Sequence, residues 1–178
     1  MMQKEIDVTA LGELLIDFTE NGVSSQGNAL LEANPGGAPC NVLAMLGKLG
    51  KKTAFIGKVG NDQFGNMLRN TIESVGIDAE GLVIDDKVHT TLAFVHTYPD
   101  GDRDFSFYRN PGADMMLRKE EVSLEKICAS KIFHFGTLSF THAGIRTASQ
   151  YAIQCAKEAG ALISFDPNLR EPLWENLE

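Results

Sequence analysis

The stretch NPGGAPCNV, Asn34 to Val42, sets two bare backbone positions and a proline in front of an apolar run. Glycines at 36 and 37 tolerate positive φ and let another molecule approach the main chain closely. Pro39 suits a first helical position, where its missing N–H has no partner in any case. Asn41 then falls in the first helical turn, where unpaired backbone donors and the positive end of the dipole favour a polar or anionic ligand. Upstream, Asp17 lies near the end of an apolar run. Its carboxylate can accept hydrogen bonds from hydroxyls, and Asn41 can both donate and accept. Such a set suits a sugar. Arg109 and Arg170 carry the planar guanidinium fork that holds a carboxylate or a phosphate. Taken singly, the same features are accounted for by a ligand-free strand-to-helix turn, a capping aspartate and two solvated arginines.

Other chemistries find little support. The chain has no Gly-x-x-x-x-Gly-Lys-Ser/Thr loop, and glycines 57, 60 and 65 in GKVGNDQFG lack the spacing of a dinucleotide fingerprint. His89, His96, His134 and His142 form no metal pair on a helix face, so structural roles are expected for them. Cys40, Cys128 and Cys155 are far apart and odd in number, which fits neither a disulfide framework nor a zinc pattern. No metal site is expected. Cys40, at a helix N-terminus, is expected to have a lowered thiol pKa and some reactivity.

The elements that must position these residues alternate in type. DVTALGELLIDF (7–18) reads as a buried strand running on into a second extended segment, and KKTAFIGKVG (51–60) as another short strand. Between them, Val42, Met45, Leu46 and Leu49 fall at i, i+3, i+4 and i+7, one helical stripe closed by Gly50. Asp62 caps a second helix with Phe64, Leu68, Ile72 and Val75 inward. Strand, helix, strand, helix is the grammar of a parallel sheet. From about Gly81 to Asn110 the pattern changes, with Pro99-Asp100-Gly101 as the turn of a hairpin. Phe105, Phe107 and Arg109 share one face of its second strand, Ser106 and Tyr108 the other. This insertion is either a lid over the site or a plain edge hairpin. The α/β pattern resumes with SLEKICASKIFHFG, then a helix with Ile145, Ala148, Ala152, Cys155 and Ala159 inward, then the strand ALISFD. The last eight residues, EPLWENLE, read as the start of another element. Ligands of open α/β sheets bind beyond the carboxyl ends of the strands. Asp17, Gly36, Gly37, Asn41, Gly60 with Asn61, and the segment from Asp166 to Arg170 all follow strand-like runs. Their convergence on one sheet edge favours a binding site.

At 178 residues the chain is expected to form one domain. Its 43% hydrophobic and 22% charged content are those of an ordinary soluble protein. A net charge of −8 argues against a non-specific nucleic-acid binder or a basic membrane-surface protein. The N-terminus lacks a secretory core, and no window is apolar for the ~18 residues a membrane span needs. A cytoplasmic, reduced protein is expected.

Seven blocks then occur in order: GELLIDF (12–18), PGGAPCNV (35–42), AFIGKVGNDQFG (54–65), TLAFV (91–95), DGDRDFSFYRNPGAD (100–114), KIFHFG (131–136) and SFDPNLREPLW (164–174). Together they resemble the ribokinase-like carbohydrate kinases, and among these the fructokinase branch. The resemblance implies an α/β fold, a three-layer parallel sheet with an inserted antiparallel β lid. It implies one truncated domain over 1–178, with lid segments at about 16–35 and 81–110. It also implies transfer of the γ-phosphate of ATP to a primary hydroxyl, fructose to fructose 6-phosphate, with Mg²⁺ and backbone donors neutralising charge. Asp17, Gly36, Gly37 and Asn41 would bind sugar hydroxyls. Phe94 would pack over the ring, and Arg109 would reach the sugar from the lid. Asn168 and Arg170 would lie beside the path of the phosphate. A kinase for 2-keto-3-deoxygluconate, using Tyr108 and Arg109 for the carboxylate, is the nearest alternative; a non-catalytic sugar-binding or assembly protein on a kinase scaffold is another. In the family the catalytic aspartate lies in a Gly-Ala-Gly-Asp motif in a second half, with the nucleotide site and a monovalent-cation site for K⁺. By the resemblance that aspartate would fall beyond Glu178. These 178 residues therefore resemble the sugar-binding half, with no catalytic residue and no activity expected alone, and the full-length protein is expected to be a homodimer through the lid. Leu43 departs from the small residue usual two places after the asparagine, which bears on helix packing more than on chemistry.

Overall fold

The protein is described by a computed structural model covering residues 4–98 and 100–174. Pro99 of the expected turn and residues 175–178 of the final segment, Glu178 included, lie outside the described residues. In chain order the elements are β1 (Ile6–Leu11), β2 (Leu15–Val23), β3 (Ala29–Gly36), α1 (Ala38–Lys48), β4 (Thr53–Gly60), α2 (Gln63–Ser74), β5 (Ile77–Asp85), β6 (Leu92–Thr97), β7 (Arg103–Tyr108), α3 (Leu124–Cys128), β8 (Ser130–Gly136), α4 (Ala143–Glu158) and β9 (Leu162–Asp166). Strands β5-β4-β1-β8-β9 form a five-stranded sheet in that order, every neighbouring pair parallel.

Side-chain alternation along these strands divides the core in two. Val8, Ala10, Phe55 and Val59 pack with Cys40 and Leu43 of α1 and Leu68 and Ile72 of α2. Leu11, Ile56, Phe133 and Phe135 pack with Ile127 of α3 and Ile145, Ala148, Ala152 and Ala156 of α4. Helices thus cover both faces, the three-layer α/β arrangement expected for buried parallel strands. Within this frame α1 is rotated relative to its sequence stripe. It buries Pro39, Cys40 and Leu43, whereas Met45 and Leu49 are 58% and 67% exposed. The cause is at its N-terminus. Pro39 lies so close to Gly12 that a Cβ there would strike its ring, so the corner between β1 and β2 sets the helix's rotation. Leu43 is fully buried in the first cluster and fills its place in the packing. Val75, expected inward, is instead the C-cap of α2 and partly exposed.

The second sheet, β3-β2-β6-β7, is the lid. It is mixed rather than antiparallel: β2–β3 and β6–β7 are antiparallel, but β2 and β6 run parallel. Its second segment begins at Leu92 rather than near 81. Residues 81–85 belong to β5, which pairs with β4 through Gly60↔Asp85 and so lies in the central sheet. Phe18 stacks on Phe94 (centroids 5.0 Å apart) and meets Phe64 of α2 edge-on at 5.6 Å, which seats the back of the lid on that helix. At the opposite end of the central sheet, β9 pairs with β8 alone among the described strands, and Leu162 and Phe165 are 71% and 51% exposed.

Candidate functional site

Beyond the carboxyl ends of β1, β8 and β9, under the lid, lies a cleft of about 380 Å³, a size typical of small-molecule sites. The corner between β1 and β2 contributes Glu13, Leu15 and Asp17; the start of α1 contributes Gly37, Ala38 and Asn41. Phe105 and Phe107 descend from the lid, Leu138 follows β8, and Asp166, Asn168 and Arg170 come from β9 and the loop after it.

Each glycine of the pair has a separate steric task. A Cβ at Gly36 would collide with the carboxylate of Asp17, and one at Gly37 with the carbonyl oxygen of Glu13. Gly37 also has φ of +119°, in the region that favours glycine. The pair therefore lets β3 and the start of α1 close directly onto the two acidic residues. Gly36 clears space for Asp17 without itself lining the cleft. Asp17 is half-buried, and burial raises its carboxyl above the ordinary range while the charge of Arg170 pulls the other way. The Arg170 guanidinium lies 5.2 Å over the ring of Phe105 and, among the described residues, donates from Nη1 to its neighbour's carbonyl, Leu169 O. Asn168 has a left-handed φ of +33°, which asparagine tolerates, and its N–H donates to Asp166 Oδ1.

Three expected contacts are placed elsewhere. Phe94 and Tyr108 lie on the far face of the lid. Register pairs Asp17 with Ala93 and Ala93 with Phe107, so the alternate residues Phe18, Phe94 and Tyr108 point away from the cleft. The rings at the cleft are Phe105 and Phe107, so the apolar face of the hairpin's second strand is turned inward. Arg109 is buried and committed. Its Nε and Nη2 donate to Asp114 Oδ2 (2.9 and 2.6 Å), Nη1 to Thr141 Oγ1 (2.8 Å) and Nη2 to Leu138 O (3.2 Å). Arg109 stands where the chain leaves the lid for the body, and Asp114 waits in the next turn. Gly60 and Asn61 are also absent from the cleft. Gly60 N–H donates to Thr90 Oγ1 and the Asn61 amide to Asp86, which hold the approach to β6. The expectation that the catalytic aspartate follows Glu178 concerns chain outside the described residues, which end at Trp174.

Glu13 was not singled out by motif, although its charge interrupts the apolar run LGELL. It is only 4% exposed, and its Oε1 accepts from Ala38 N at 2.9 Å, an external cap for a helix whose N-cap, Gly37, has no side chain. Burial pushes its carboxyl up to about 7. Cys40 is not activated. Burial, and then the charge of Glu13, push its thiol well above the usual range, because the desolvated site outweighs the helix terminus. His142 caps α4 by accepting from Gly144 N, a structural role. Among the described residues no group of three or more His, Cys, Asp or Glu could hold a metal ion, and no helix is long and apolar enough to cross a membrane.

The profile of the pfkB family carbohydrate kinases matches residues 5–178. The chain belongs to that family. This pfkB-family chain is 49% identical over 174 residues to a probable fructokinase-2 of Arabidopsis thaliana, covering 96% of this chain and 53% of the relative. It is 48% identical to fructokinase-2 of Solanum lycopersicum, with 96% and 53% covered. Its fold matches the crystal structure of fructokinase from Xylella fastidiosa with a TM-score of 0.91 and 35% identity, covering 98% of this chain and 54% of that one. A further structure of that enzyme, with bound ATP, matches at TM-score 0.88 and 35% identity, covering 98% and 52%. The chain therefore spans about half the length of the relatives it matches.

Proposed function

We propose that these residues are the sugar-binding half of an ATP-dependent kinase acting on a neutral sugar, fructose, at its primary hydroxyl. The supporting observation is the charge inventory of the cleft. Three carboxyl side chains, Glu13, Asp17 and Asp166, face one guanidinium, Arg170. The sugar-acid reading needs Arg109 and Tyr108 for the carboxylate, but Arg109 is taken by Asp114 and Tyr108 lies on the far face, while Arg170, the cation in the cleft, is outnumbered by carboxyl side chains and lies over Phe105. Fructose is therefore favoured over 2-keto-3-deoxygluconate, in line with the names of the relatives. Asp17 and Asn41 bind hydroxyls, Phe105 and Phe107 cover the ring, and Asn168 and Arg170 border the route of the phosphate. ATP is held mainly by residues of a second half. Among the described residues no group of three or more His, Cys, Asp or Glu could hold a metal ion, which accords with Mg²⁺ and K⁺ being held with the nucleotide by the second half.

Titration calorimetry of residues 1–178 with fructose, ribose and 2-keto-3-deoxygluconate tests the reading. Fructose is expected to bind best and the acid not at all. Asp17→Ala is expected to weaken fructose by roughly 30- to 150-fold, the scale of hydrogen bonds to a charged acceptor. Unchanged fructose binding in that variant, or preference for the acid, would show the assignment to be wrong.

The dimer reading rests on apolar surface left exposed on the lid. Val23, Leu30, Leu31 and Tyr98 leave apolar area exposed on the lid's outer strands and tips, and Tyr108 leaves more on its far face. In a full-length protein this surface pairs with a second lid. A monomeric sedimentation coefficient at micromolar concentration would count against it. The free thiols of Cys40, Cys128 and Cys155 support a cytoplasmic setting.

A further inference from the structure

We propose that Glu13 is a further specificity-determining residue of the sugar site, its oxygen Oε2 sharing a hydrogen bond with one hydroxyl of the bound sugar. The inference rests on the sugar-binding reading of the cleft and adds a contact to it.

The carboxyl is held in place by its surroundings. Oε1 is fixed on Ala38 N, and the Glu13 carbonyl packs so closely on Gly37 that no side chain fits between them. Glu13 therefore cannot turn its head out to water without breaking the start of α1. Oε2 is buried and has no hydrogen-bond partner among the described residues. A buried polar atom left without a partner is costly, about 1–3 kcal/mol, and native folds keep such atoms chiefly where something outside the chain satisfies them. Neither nearby arginine pairs with it: Arg109 is spent on Asp114, Thr141 and Leu138, and Arg170 donates to Leu169 O and lies over Phe105. Glu13 lines the cleft together with Asp17, Ala38 and Asn41.

The chemistry around Oε2 points to a hydroxyl. The charged and titratable groups around Glu13 are Asp17 from β2, Cys40 from α1, Arg109 and Asp114 at the lid root, and Asp166 and Arg170 after β9. Acidic side chains outnumber available cations, so an anionic ligand group is disfavoured at Oε2. A carboxyl poised near neutrality is present both as acceptor and as donor. A hydroxyl is the ligand group that matches either form, since it donates to a carboxylate and accepts from an acid.

The test is calorimetric titration of residues 1–178 with fructose and its monodeoxy analogues, for the wild type, Glu13→Ala, Glu13→Gln and Asp17→Ala. Glu13→Ala is expected to weaken fructose by roughly 10- to 100-fold, the scale of one hydrogen bond to a buried carboxyl. One monodeoxy analogue is expected to bind the wild type correspondingly less well, and to lose nothing further in Glu13→Ala. Glu13→Gln keeps an acceptor for Ala38 N, so it guards against a folding defect. In it, discrimination at that same hydroxyl is expected to change at least about fivefold. Equal losses for every analogue would reduce Glu13 to a helix cap and overturn the proposal. So would unaltered discrimination in Glu13→Gln while Asp17→Ala still loses fructose, an outcome that leaves the sugar reading standing. Failure of the wild type to bind fructose would remove that reading, and this inference with it.

Discussion

Replacing Asp114 with alanine is expected to destabilise the folded chain by about 3–5 kcal/mol, the cost of leaving a buried ion without its partner. Its two oxygens join both roots of the lid. Oδ2 takes Nε and Nη2 of Arg109, just after β7, while Oδ1 accepts from Thr91 Oγ1 at 2.5 Å, just before β6. The side chains of Arg109 and Asp114 are 3% and 2% exposed, so water cannot replace a lost partner. A double replacement by apolar residues of similar volume, Arg109→Met with Asp114→Leu, is expected to cost much less than the single change, because no charge is then buried alone. Urea unfolding of both variants checks this. A single variant within about 0.5 kcal/mol of wild type, the ordinary range of surface substitutions, would show that the pair does not hold the lid root.

Glu13 should make stability fall as pH rises through the range just above the ordinary glutamate pKa. Desolvation is the main cause of its displacement. The nearby backbone N–H of Glu13 itself and the hydrogen bond from Ala38 N oppose it, Asp114 adds to it, and Arg109 partly offsets it. In the folded chain the carboxyl keeps its proton up to about pH 7, against 4.5 for the free group. Between those limits the folded state binds more protons than the unfolded state, so stability is lost with rising pH and then levels off above about 7. The loss attributable to this residue is about 3 kcal/mol at 1.36 kcal/mol per pH unit. Glu13→Gln cannot ionise there. The stability difference between Glu13→Gln and wild type should therefore grow by about that amount from pH 4.5 to 8. Asp62, Asp85 and Glu121 carry carboxyls held below their ordinary values and act in the opposite sense at lower pH, but they cancel in this comparison. Parallel denaturation curves for the two proteins across that range would mean that Glu13 is solvated in solution.

Much of the site was legible in short stretches of chain. The residues from Asn34 to Val42 specify a turn and a helix start by chemistry that acts within a few positions: glycine's freedom in φ, proline's missing N–H, and an apolar run at helical spacing. Asn168 and Arg170 reach the cleft because they follow β9, one of the parallel strands that end together, whereas Asp17 lies in lid strand β2 and Gly37 and Asn41 come just after lid strand β3. The seven family blocks carried the rest of that reading, including the lid. Period-2 alternation also separated Phe105 and Phe107 from Tyr108 correctly.

What alternation could not say is which face turns inward. That depends on which side of the lid meets α2, a choice made by Phe18 and Phe64, far from the hairpin in sequence. For this reason Phe94 packs on Phe18 away from the cleft, and Phe107 lies at the cleft. The helical stripe of α1 was likewise overruled, because contact with Gly12 rotates the helix about its own axis. Arg109 shows the same limit in charge. A guanidinium is a ligand anchor or a structural clasp according to what stands beside it, and its partners come from positions 114, 138 and 141. Sequence by itself determined the order of elements, the glycine turn and the residues delivered to the sheet's edge, since these follow from local backbone chemistry and periodicity. Only the tertiary structure decided which aromatic rings cover the cleft, that Arg109 is spent, and that Glu13 is buried with one oxygen unpaired, because burial and pairing are properties of side chains brought together from distant parts of the chain.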